Sequence, residues 1–135
     1  MMKANPANPW RSAGVWMSVL IALLMAMNTW RAVSDPEAFA RYFGIEAAAG
    51  AHPAFIYVYA VRAFFLVLVT AVLIWRREYV ALSWFAAVAI VMPLGDVLLV
   101  ANAGGTSTII ARHLATAAYL ALTAFLLNRW TKTHD

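Results

Sequence analysis

Four apolar runs, each about as long as a bilayer-crossing helix, dominate this sequence. They read as residues 12–33, 54–75, 79–101 and 108–128. At 1.5 Å of rise per residue, some twenty helical residues cover about 30 Å of hydrocarbon. In lipid only helices and closed barrels satisfy their own backbone, and these runs lack the period-two alternation of barrel strands. Of the 135 residues 64% are hydrophobic and 12% charged, against about 25% charged in soluble domains. The expectation is an all-α integral membrane four-helix bundle, up-down-up-down, forming one transmembrane domain over residues 1–135.

The links carry their own signals. Between spans one and two, Asp35-Pro36-Glu37 has the form of a helix start, with Asp35 as N-cap and Pro36 at the first helical position. Phe39, Tyr42 and Phe43 then share one face, and Gly44 ends it. This predicts a short amphipathic outer helix lying on or over the bundle, either a plain surface segment or a lid. His52-Pro53 leads into span two, and Gly104-Gly105 marks a tight turn between spans three and four. Lys3, Arg11, Arg76, Arg77, Arg129 and Lys132 fall on one side of the spans. Arg31 and Arg41, offset by Asp35, Glu37 and Glu46, fall on the other. This bias predicts both termini in the cytoplasm, in a bacterial inner membrane, with Trp10, Trp75 and Trp130 at that interface and Trp30 and Tyr42 at the opposite one. Lys3 and Arg11 ahead of the apolar run from Ala13 to Met27 also resemble a secretory signal, and the expectation is that the stretch is retained as the first span.

Four polar residues interrupt the spans: Asn28, Arg62, Asp96 and His113. An ionisable group at membrane depth costs about 2.5–3.5 kcal/mol on insertion scales and is a functional-site candidate by default. Counted along helices, Arg62 lies about 12 Å, and Asp96 and His113 about 8 Å, below the outer edge. All four therefore fall in one leaflet. Arg62 shares a stripe with Phe55, Tyr59 and Leu66, and pairing with Asp96 would offset the burial of both. Such an arginine can also hold an anionic oxygen. Asp96 follows Pro93, which bends the helix, and Gly95, which permits close approach of a backbone or ligand. His113 is suited to acid–base work with its tautomer fixed by Asp96, and Thr116 lies on its face. The expected catalytic set is Asp96, His113 and Arg62. The expected ligand-binding set is Asn28, Phe55, Tyr59, Met92 and Thr116. Arg112, about 100° round the helix from His113, is expected to face elsewhere, toward headgroups.

Several classes are excluded. With no cysteine there is no disulfide, thiolate metal site or thiol nucleophile. No phosphate loop, dinucleotide fingerprint, HExxH or GxSxG occurs. One histidine and one aspartate are too few ligands for a metal site, so neither metal nor cofactor is expected. The basic residues form no aromatic-interleaved groove, which argues against nucleic acid.

Tyr59-Ala60-Val61-Arg62, Pro93-Leu94-Gly95-Asp96, and His113 with Ala117 resemble the small four-helix membrane proteins grouped as domain of unknown function 4267. Ala63 stands where the pattern would carry an acidic residue after the arginine. The resemblance implies the four-helix fold, makes Arg62, Asp96 and His113 the positions to watch, and implies no activity. The residues themselves favour a pocket in the outer half of the bundle for an apolar molecule with a polar head, acted on by a cofactor-free isomerase, cyclase or hydratase. The alternatives are a structural or accessory subunit of a membrane complex, whose polar cluster fixes helix packing, and an oligomeric transporter or channel. Expected partners are membrane lipid, a hydrophobic small molecule and further copies of the chain.

Overall fold

A computed structural model describes residues 8–45 and 54–133. Lys3, Glu46 and His52-Pro53 lie outside the described residues. The described chain is helical throughout, with six α-helices: α1 (Ala13–Ser34), α2 (Pro36–Phe43), α3 (Ala54–Trp75), α4 (Tyr79–Ala89), α5 (Val91–Asn102) and α6 (Ser107–Lys132). A single 3-10 turn at Pro9–Arg11 precedes α1. Four spans are long and apolar enough to cross a membrane: α1, α3, α4 together with α5, and α6. This is a multi-pass membrane protein. Helix ends fall close to the expected limits, except that α6 runs on to Lys132.

The third span is broken rather than merely bent. Pro93 has no N–H for the carbonyl of Ala89, and its ring crowds that turn. The helix stops at Ala89, Ile90 donates instead to Ala87 at 3.4 Å, and α5 restarts at Val91. α3 packs chiefly on α1, while α6 packs on α1, α4 and α5. α3 meets α4, and α5 packs chiefly on α6 rather than on α3. A gap is therefore left on the far side of the proline break.

The short amphipathic helix expected between spans one and two is present as α2. Asp35 Oδ1 accepts from the Ala38 N–H at 2.9 Å, Pro36 occupies the first turn, and Gly44 closes the helix at φ 100°. That left-handed conformation is open to glycine at no steric cost. Phe39 and Ala40 are buried against Ala32 of α1 and Ile56 and Ala60 of α3. The Gly44 carbonyl also approaches Gly105 in the α5–α6 turn. A Cβ on Gly105 would collide with Val100 Cγ1 and sit 3.3 Å from that carbonyl. Thus α2 is fastened over one end of the bundle at both of its ends.

Candidate functional site

Beneath α2 lies a cavity of about 150 Å3. Its wall follows α1 from Ser18 to Asn28, ten residues or about 15 Å, and α6 from Arg112 to Thr123, about 16 Å. It is therefore long and narrow, and its two ends differ. Asn28, Tyr59, Asp96, Arg112, His113 and Thr116 surround the end under α2. The shaft is apolar, walled by residues such as Met25, Leu66, Phe85 and Met92. At the far end Ser18 and Thr123 spend their hydroxyl protons on the carbonyls of Gly14 and Tyr119, one turn back on their own helices. Those hydroxyls present little free donor capacity to the shaft.

α2 forms the roof. Phe39 and Phe43 stand against Tyr59, with ring centroids 5.0 and 5.3 Å apart, and Phe43 meets the His113 ring edge-on at 4.9 Å. Two carbonyls at the end of α2 then hold consecutive residues of α6. Arg112 donates to the Tyr42 carbonyl with its guanidinium 4.0 Å over the Tyr42 ring, and His113 Nε2 lies 3.3 Å from the Phe43 carbonyl. A carbonyl only accepts, so the Nε2 position carries the proton. His113 Nδ1 is then the working nitrogen. It faces Asp96 Oδ2 at 3.7 Å, and His113 itself is only 8% exposed. That separation is longer than a hydrogen bond and leaves room for one ligand atom to contact both groups. Asn28 is 7% exposed, and its Oδ1 has no hydrogen-bond partner.

The family model for domain of unknown function 4267 matches residues 22–127. The chain belongs to that family. No curated protein and no solved structure matches it. The region shared with domain of unknown function 4267 reaches back into α1 and takes in α2, so it holds the roof as well as the cavity's polar end.

Within this member of domain of unknown function 4267, the expected site residues divide. Asp96 and His113 come together, and Asn28, Tyr59, Met92 and Thr116 line the same cavity. Arg62 and Phe55 do not. Both are exposed on the outside of α3, and among the described residues no arginine or lysine forms an ion pair with a carboxylate. The buried stripe of α3 is Ile56, Ala60, Ala63 and Thr70. At 100° per residue Arg62 sits more than 100° from the centre of that stripe. Small residues mark helix contacts in a membrane and bulky ones face lipid, so the alanines, rather than the aromatic stripe, were the signal for the inner face. Arg112, expected to face headgroups, is the arginine at the cavity. Gly95, expected to admit a close approach, has open space around its Cβ position. The carbonyls of Tyr42 and Phe43 carry no side-chain signal in the sequence at all.

Proposed function

We propose that the protein binds a small amphiphile beneath α2, with an apolar body in the shaft and a single polar head at Asp96 and His113, and acts on it by acid–base chemistry without a cofactor. The observation that carries this reading is the one-ended polarity of the cavity. A structural polar cluster would be closed on itself, whereas here an imidazole nitrogen and a carboxylate stand 3.7 Å apart at the head of an apolar shaft. A double-bond shift adds a proton at one carbon and removes one from another. It needs an acid and a base at one place and no redox partner, so isomerisation, cyclisation or hydration fits these groups. The sparse packing between α3 and α5 supports entry from the bilayer, and the packing of Phe43 of α2 on His113 supports shielding of the polar end. The bias of Lys and Arg in the links supports both termini in the cytoplasm of a bacterial inner membrane, which puts α2 on the outer face.

The test uses full-length protein in lipid nanodiscs, with mass spectrometry of co-purifying molecules and of the products formed from them. Asp96→Asn and His113→Ala should each abolish turnover, and His113→Ala should weaken retention. Unchanged retention and turnover in both variants would end the catalytic reading.

One observation favours a second reading. Arg62 is exposed about 12 Å inside the span, and among the described residues no carboxylate pairs with it. Such a cation is met by a partner's acidic group or by snorkelling. A role as an oligomer or as an accessory subunit predicts that Arg62→Leu changes the mass of the complex released in mild detergent.

A further inference from the structure

The cavity's polar end is not equally served by donors and acceptors, and the imbalance says what kind of head group completes it. Asn28 Oδ1 is a strong acceptor, more than nine-tenths buried, in the cavity wall and without a donor. A buried carbonyl left in that state costs about 1–3 kcal/mol. Asp96 is a second acceptor on the same wall. Of the nearby donors, the Thr116 hydroxyl is returned to the Arg112 carbonyl at 3.1 Å. Arg112 is turned toward Tyr42, and the Nε2 proton of His113 is aimed at Phe43. Two acceptors therefore face the shaft, while three of the donors around them are turned elsewhere and the Tyr59 phenol remains on the same wall. Charge does not break the tie, because the Arg112 cation and the Asp96 carboxylate stand at the same end. A carboxylate or phosphate head would meet Asp96 across a site with no positive excess, and it would leave Asn28 Oδ1 as it is.

Resting on the amphiphile reading above, we propose that the head group is a neutral hydrogen-bond donor, an aliphatic hydroxyl, which donates to Asn28 Oδ1 and sits within reach of Asp96 and His113. The ligand class is a long-chain or cyclic alcohol drawn from the membrane. The Tyr59 phenol, which interacts with the Asn28 side chain, stands beside the same head and can donate to its oxygen.

The experiment is photolabelling of the full-length protein in phosphatidylcholine nanodiscs with a diazirine-bearing dodecanol. The labelled peptides are mapped, and labelling is competed by dodecanol, its methyl ether or dodecanoate. Label is expected on α1, α3 and α5 residues of the shaft. Dodecanol should compete about tenfold better than the ether or the carboxylate, the scale of one buried acceptor regaining its donor. Asn28→Leu should shrink that preference to about threefold or less by removing the acceptor. If the ether competes as well as the alcohol while labelling stays in the shaft, the hydroxyl assignment is wrong and the amphiphile site stands. The same holds if dodecanoate competes better, which would mean that Asn28 presents its amide N–H instead. Labelling spread evenly over lipid-facing residues overturns both. The comparison of competitors in the unaltered protein decides the matter even if the Asn28 variant does not fold.

Discussion

The two ends of this bundle are built from the same helices and packed to opposite ends. Near the chain termini, Val15, Leu82 and Leu127 are essentially sealed from solvent, with Leu73, Ile74 and Tyr79 packed around them. A Cβ on Gly14 would lie 2.8 Å from Leu127 Cγ and 2.9 Å from its backbone nitrogen, so α1 and α6 are in direct backbone approach. Ser83 even donates across to the Ala124 carbonyl at 3.1 Å. Under α2, by contrast, the helices part around the cavity, an amide oxygen goes unpaired, and an imidazole and a carboxylate stand just beyond hydrogen-bond distance. In a membrane, lipid is as apolar as leucine, so close packing is what holds helices together. One end has that packing and the other forgoes it. Stability belongs to the first and binding to the second.

The largest expected effect falls at the packed end. Gly14→Leu must move Leu127 or α1 itself, because the obstruction includes backbone. A loss of about 3 kcal/mol is expected, the upper range for overpacking, read as a lower midpoint of thermal unfolding in detergent. No such loss should follow from changes at the polar end. Asp96→Asn should cost binding about tenfold, or about 1.4 kcal/mol, while the unfolding midpoint stays level or rises, as for a group kept for function rather than stability. If Asp96→Asn lowered the midpoint as far as Gly14→Leu, the division between the two ends would collapse, and the polar cluster would be a packing device.

A third change acts on the roof. Asp35→Ala removes the side-chain acceptor for the Ala38 N–H and should weaken α2 by about 1 kcal/mol. Since α2 carries the carbonyls that hold Arg112 and His113, its loosening should appear as faster ligand release with little change in the overall midpoint. Hydrogen exchange across residues 36–43 would locate the effect. Exchange that quickens equally in α1 and α6 would mean that the roof is not a separate unit.

These contrasts also mark what could be read from the residues alone. The spans, the capped helix α2 and a distortion at Pro93 were legible, because length, N-cap chemistry and a missing N–H are local causes, although the bend expected there is an interruption at Ile90. The meeting of Asp96 and His113 followed from depth along consecutive spans. The stripe of Phe55, Tyr59, Arg62 and Leu66 straddles the edge of the inner face: Tyr59 and Leu66 line the cavity, whereas Phe55 and Arg62 turn outward, and Ala60 and Ala63 mark the centre. Arg112 was missed for a different reason. It lies one residue from His113 and borders the cavity's polar end only because α2 arches over α6 and offers a carbonyl and a ring to its guanidinium. That position depends on a fold between residues 70 apart, and no helical wheel contains it.

The smallest effect is the sharpest test of that correction. Arg62 and Arg112 are the same residue type in the same half of the bundle, one on the exposed side of α3 and one at the cavity. Arg62→Leu exchanges an exposed cation for an apolar side chain and should change both the midpoint and amphiphile binding by no more than about 0.5 kcal/mol, as for surface substitutions generally. Arg112→Leu removes the contact to Tyr42 and should weaken binding several-fold through the roof. Equal effects from the two would mean that Arg62 reaches the ligand during entry between α3 and α5. A larger effect from Arg62 would return it to the site and displace Arg112.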